Sequence, residues 1–158
     1  MEDYFQGSLL DTGQATEVGE LGPTVKRQSL AYGAWVDVRA GWVTGSDDLF
    51  LKLLAEVPWR AEQREMYDRV VDVPRLVCSY GSRDEFPDPI LEAARDRLNS
   101  HYASELGEGF ETAGLCYYRD GRDSVAWHGD RIGRGRTDDT MVAILSLGEA
   151  RKLSLRPR

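Results

Sequence analysis

The sequence predicts an α+β domain built on a β core, and three observations carry that prediction. Two stretches with helical apolar spacing, near residues 46–57 and 89–102, stand ahead of a run of short apolar stretches. Those later stretches are separated by glycine-rich or charged loops, as short strands are. The 158 residues sit near the size of one domain, about 100 to 150 residues, and hold no internal repeat or low-complexity tract.

In chain order, the first 26 residues set Glu2, Asp3, Asp11, Glu17 and Glu20 against Lys26, with four glycines and no sustained apolar period, which reads as an arm or loose lead-in. Ala34, Val36 and Val38 alternate with Trp35 and Asp37, the pattern of a short strand. Ser46 is placed to cap a helix with the stripe Leu49, Phe50, Leu53, Leu54 and Val57. Asp47 and Asp48 favour its dipole and Pro58 stops it. Val70 to Tyr80 is rich in Val and Leu but contains Pro74, so it reads as an interrupted or edge strand. After the loop GSRDEFPDP, Asp88 caps and Pro89 opens a second helix carrying Ile90, Leu91, Ala94, Leu98 and Tyr102, ending before Gly107. Thr112 to Tyr118, Ser124 to His128, Met141 to Leu147 and Lys152 to Leu155 complete the elements as strands.

Composition narrows the function classes. With 41% hydrophobic and 30% charged residues the chain can bury a core and stay soluble. No apolar run reaches the roughly 18 to 20 residues of a membrane span, and the acidic N-terminus lacks the pattern of a secretory signal. The net charge of −7 supplies no global field for nucleic acid, so any such contact must be local. Cys78 and Cys116 show no C-x-x-C spacing, which disfavours a zinc ribbon or disulfide scaffold and favours a cytoplasmic setting. His101 and His128 are the only histidines; His101, on the polar side of the second helix, reads as a surface residue.

The informative stretch is Tyr118 to Asp130, YRDGRDSVAWHGD. On a strand, residues two apart share a face, so His128 and Asp130 can converge on one metal ion. Such an H-x-D pair supplies two ligands of a 2-His-1-carboxylate triad, the open site of non-haem Fe(II) oxygen chemistry. Alone the pair is a weak signal, since a strand histidine beside a turn aspartate has the same pattern.

With the following TMVAILSLG, this stretch resembles the AlkB family of Fe(II)- and 2-oxoglutarate-dependent dioxygenases. A second segment, Val73-Pro-Arg-Leu-Val-Cys-Ser-Tyr80-Gly81, resembles that family's V-P-R…Y-G lid segment. The resemblance spans about Trp35 to Arg158. It implies a double-stranded β-helix, or jelly roll, flanked by N-terminal helices, with residues 1–30 as an arm and 31–158 as the dioxygenase domain. It implies Fe(II) on His128 and Asp130, 2-oxoglutarate held in part by the Tyr118 hydroxyl, and a substrate side formed by Tyr67, Arg75 and Tyr80. The partner implied is an alkylated nucleic acid, DNA ahead of RNA, and the reaction is oxidative dealkylation of N-alkylated bases in repair. No membrane or obligate protein partner is evident.

Other readings of these residues remain open at this level. Tyr118 also fits a core strand tyrosine, and Cys116 stands where the family often has asparagine. Trp127 should point away from the metal by alternation and pack in the core. Tyr67 could stack on an extruded base. Arg119, Arg122, Arg131, Arg134 and Arg136, with Arg151, Lys152, Arg156 and Arg158, could neutralise phosphates locally or form a solvated face cancelled by Asp120, Asp123, Asp138 and Asp139. The family completes its triad with a later histidine, and none follows His128. The expectation is therefore a chain lacking distal strands, weakly active, with exposed edges that favour self-association. Two rival functions stand beside dealkylation: a non-catalytic nucleic-acid-binding remnant, and a 2-oxoglutarate dioxygenase acting on a protein or small molecule.

Overall fold

The computed structural model describes residues 15–66, 68–105, 107–129 and 141–157. They form nine regular elements: β1 (Glu17–Val18), β2 (Lys26–Ser29), β3 (Trp35–Val38), β4 (Val43–Thr44), α1 (Ser46–Glu56), β5 (Arg60–Met66), β6 (Arg69–Tyr80), α2 (Pro89–His101) and β7 (Ala113–Tyr117). All strand pairs are antiparallel, in three small sheets ordered β1-β4, β2-β3 and β5-β6-β7. The class is α+β, as the sequence indicates. No double-stranded β-helix is formed among the described residues, and none of their helices is long and apolar enough to cross a membrane.

The lead-in is tied into the fold from Glu17 onward. β1 pairs with β4, and Trp42 donates its indole N–H to the Gly19 carbonyl at 2.7 Å while Gly19 N–H donates to Trp42 O at 2.8 Å. Val18 and Leu21 thereby join Trp42, Val43, Leu49, Leu53, Val57, Ala94 and Tyr102 in the core. The expected strand at 34–38 is β3, paired with β2 from Lys26↔Val38 to Ser29↔Trp35.

α1 follows its apolar stripe, with Leu49 only 2% exposed, but its cap differs from expectation. Gly45 sits at the boundary in the left-handed region at φ +61°, so Ser46 is already the first helical residue rather than the cap. Asp47 and Asp48 occupy the first turn as expected. α2 is capped as the sequence reads: the Asp88 carboxylate accepts from Ile90 N–H at 2.8 Å, with Pro89 in the first turn. Lys52 Nζ reaches the same carboxylate at 2.6 Å and couples the two helices.

β6 corrects the reading of an edge strand. It is the central strand of its sheet, pairing with β7 over Leu76–Tyr80 and with β5 on its other side. Pro74 is accommodated because the β5 register jumps from Gln63↔Asp72 to Ala61↔Leu76, leaving Val73, Pro74 and Arg75 opposite Glu62 alone. The missing N–H falls where the ladder is already broken.

The C-terminal third departs most from expectation. Residues 124–128, 141–147 and 152–155 lie in irregular backbone, not in strands. Their apolar alternation has no neighbouring ladder among the described residues. Met141, Leu145 and Leu147 still pack on the core, whereas Val142 and Ile144 are 52% and 64% exposed. Gly148 closes this stretch at φ +77°, and a β-carbon there would lie 3.2 Å from the Phe50 ring of α1, so two constraints select glycine.

Candidate functional site

β7 delivers two adjacent tyrosines to opposite sides of the sheet. Tyr117 faces inward against Trp59 and Phe50, with ring centroids at 5.6 and 6.4 Å. Continuing the pleat, Tyr118 shares the outer face with Cys116 and Arg75. Tyr118 is half-buried, and that burial pushes its phenol above the ordinary tyrosine range, while Arg75 and Arg151 pull it back. The Arg151 guanidinium covers its ring at 4.5 Å.

Beyond Tyr118 the chain turns tightly. Asp123 N–H donates to Asp120 O at 3.2 Å, and Arg122 N–H to the Asp120 side chain at 2.8 Å. Asp123 is buried inside the turn. Its carboxylate accepts the Arg119 backbone N–H at 2.9 Å, Nε at 2.7 Å and Nη2 at 2.9 Å. This charge-assisted pairing holds Asp123 below the usual carboxylate range, and the Arg122 side chain and backbone bring exposed Asp120 down to about 2. Arg119 and Arg122 thus spend their charge on neighbouring aspartates, which favours the cancelled-face reading for these two residues. Arg131, Arg134 and Arg136 lie outside the described residues.

The turn docks onto the V-P-R segment. Ser124 N–H donates to Pro74 O at 2.8 Å, and Arg75 Nη1 donates to Ser124 O at 3.3 Å. Arg75 Nε is buried without a hydrogen-bond partner among the described residues. Arg151 fastens the other side, donating to Asp120 O at 3.0 Å and to Asp123 O. Of the residues singled out from the sequence, Arg75 and Tyr118 are therefore brought together.

The remaining candidates fall elsewhere. Tyr80 lies at the far end of β6, roughly 16 Å from Arg75 at about 3.3 Å per residue, and by alternation on the opposite face. It packs against Phe86 at 6.1 Å, and burial, with a hydrogen bond to Cys78, raises its pKa. Tyr67 and Asp130 lie outside the described residues. His128 is exposed, with Nδ1 at 2.8 Å from the Ala126 carbonyl. A carbonyl can only accept, so Nδ1 is the donor in this contact. Trp127 is 55% exposed, with Arg156 stacked on its ring at 4.3 Å, which corrects the expectation of core packing. The expectation rested on a strand that is not formed there. His101 is exposed as expected, edge-on to Tyr102 at 4.6 Å.

Among the described residues no group of three or more His, Cys, Asp or Glu side chains is placed to hold a metal ion. His128 alone does not constitute an iron site. The organising roles of Asp123 and Arg151 escaped sequence reasoning. For Asp123 the four-residue spacing from Arg119 was the available signal; for Arg151 there was none.

No protein-family model matches the chain. It is similar to human alpha-ketoglutarate-dependent dioxygenase alkB homolog 3, at 29% identity in an alignment 147 residues long that covers 87% of this chain and 49% of that protein. The rat and mouse proteins of the same name match at 28% over 149 residues, covering 87% of this chain and 47% and 49% of theirs. The chain spans about half the length of these curated relatives. Together they support the AlkB-like 2-oxoglutarate dioxygenase family, an oxidoreductase family, as the one this chain resembles over most of its length.

Proposed function

We propose that this chain acts as an AlkB-like dioxygenase that uses Fe(II), oxygen and 2-oxoglutarate to remove N-alkyl groups from nucleobases, with DNA ahead of RNA as substrate. The observation that carries the reading is the direct hydrogen bonding between the two family-like segments, Ser124 N–H to Pro74 O and Arg75 to Ser124 O. These bonds join segments distant in sequence, which supports reading them as parts of one site.

In this reading His128 and Asp130 hold iron, Tyr118 donates its hydroxyl to a 2-oxoglutarate carboxylate, and Tyr67 and Arg75 serve the substrate side, while Tyr80, packed on Phe86 across the sheet, does not. The antiparallel sheet β5-β6-β7 is compatible with a fragment of a jelly roll. Bound iron and 2-oxoglutarate supply the oxidising chemistry; the protein supplies positioning and electrostatics. A target base inside a duplex must first leave the stack.

The test is an anaerobic titration of the folded 158-residue chain with Fe(II) and 2-oxoglutarate, following charge-transfer absorption, with His128→Ala as control. A band that the substitution removes is expected, followed by succinate formation that depends on an oligonucleotide containing 1-methyladenine or 3-methylcytosine. A folded chain with no band overturns the catalytic reading. Succinate formation indifferent to methylated DNA points instead to a protein or small-molecule substrate.

A further inference from the structure

We propose that Asp123 is a positioning residue: it locks the turn from Tyr118 to Ser124 so that the V-P-R segment and the Tyr118 hydroxyl move as one unit. The role assigned to Tyr118 rests on the function proposed above; the lock itself rests on geometry alone.

Asp123 is bonded at every polar position it has. Its carboxylate takes three donors from Arg119, its amide donates to Asp120 O, and its carbonyl accepts from Arg151. An ordinary surface ion pair leaves both partners in water. Here the aspartate side chain is 6% exposed and its arginine 46%, so the carboxylate sits inside the turn and the guanidinium folds back over it. The two ends of that turn are the functional ones. Arg119 follows Tyr118 directly, and Ser124 follows Asp123 and carries both bonds to Pro74 and Arg75. Arg151, attached to the turn through two carbonyls, is also the cation over the Tyr118 ring. Removing the carboxylate releases the Arg119 backbone and side chain together, and with them the spacing between Tyr118 and Ser124.

The consequence is coupling. A displacement of Pro74 and Arg75 by a bound base reaches Tyr118 through Ser124 and the Asp123 turn as well as across the β6-β7 pairing, and the turn makes the two routes move together. Such coupling requires a demonstrable unit that shifts as a whole, which the following measurement reads.

NMR of the full chain compares the parent with Asp123→Ala. Amide exchange at Arg119 and Ser124 is expected to accelerate by about tenfold or more, as in local opening, and the Arg151 side-chain protons should lose the ring-current shift imposed by Tyr118. The amides of α1 and α2 should not change. Retained Ser124 protection with an unchanged Arg151 shift overturns the proposal, as does uniform loss of protection through α1 and α2. Asp123→Asn, which keeps an acceptor for Arg119 N–H but loses the charge, is read by the same criteria if the alanine variant fails to fold.

Titration with 2-oxoglutarate, with Zn(II) as a diamagnetic substitute for Fe(II), separates the two ideas. Perturbed Tyr118 signals in the parent support the proposed function, and their absence overturns that function while the exchange data still decide the lock. Where 2-oxoglutarate binds, Asp123→Ala should weaken it in the parent but add nothing in a Tyr118→Phe background, the non-additivity of a residue acting through another. Additive losses overturn the positioning role.

Discussion

Arg27 and Arg119 each grip a nearly buried aspartate through two guanidinium nitrogens, but the bonds around them reach very different distances along the chain. Arg27 holds Asp37 at 2.8 Å through both Nε and Nη2, pairs with Glu105 at 2.9 and 3.0 Å, and lies over the Trp35 ring at 3.8 Å. Tyr102 adds its hydroxyl to Asp37 at 2.8 Å. That cluster fastens the β2-β3 hairpin to the end of α2, elements far apart in sequence. Arg119 and Asp123 lie four residues apart and shape one turn. The same chemistry thus serves assembly of the fold in one region and local shape in the other, and a clamp's effect on global stability should follow what it joins.

The comparison is broken most easily in the core shared by the first region. Leu49→Ala is expected to lower stability by roughly 2 to 5 kcal/mol in urea unfolding, the range for a truncated core leucine. Asp37→Ala comes next: it leaves the buried Tyr102 hydroxyl without its acceptor, a loss of roughly 1 to 3 kcal/mol, and should shift the global midpoint more than Asp123→Ala does. If the two aspartate variants cost the same, the distinction between the clamps fails.

pH sharpens the contrast. Burial and the neighbouring Asp37 raise the Tyr102 phenol to about 12 from 10. The folded state therefore retains the proton longer, so this contribution is intact below pH 10 and is lost as pH rises toward about 12. Alkaline unfolding should steepen in that window in the parent and not in Tyr102→Phe. In the turn the sign reverses. Asp120 is lowered from 3.8 to about 2, so its contribution is intact above pH 3.8 and is lost as pH falls through about 2. The Arg122 amide resonance should report that opening while the α2 signals stay native. Smallest of all, Trp127→Ala should change stability by no more than about 0.5 kcal/mol, as for an exposed side chain.

α2 was legible in full, since Asp88-Pro89 and the stripe ending at Tyr102 carry both its start and its buried face. The two family-like segments could be picked out in the sequence, but neither their contact nor the turn that joins them could be. β5 was not legible: Arg60–Met66 reads RAEQREM, and a charged strand shows no apolar alternation. Met141 to Leu147 misled in the opposite direction, because alternation states which residues seek burial and not whether a neighbouring strand is in place. The Arg27–Asp37–Glu105 cluster escaped because ion pairing across the fold leaves no periodic trace.

Pro74 carries one last consequence. The outer part of the β5-β6 hairpin, where Gln63 faces Asp72, is exposed along β6 from Arg69 to Asp72, so burial scarcely distinguishes one alignment of the two strands from its neighbour. Sliding β6 along β5 would carry the proline into a regular ladder that needs a donor it lacks. The imino acid therefore acts as an alignment pin, penalising alternative hairpins that the side-chain pattern alone would tolerate.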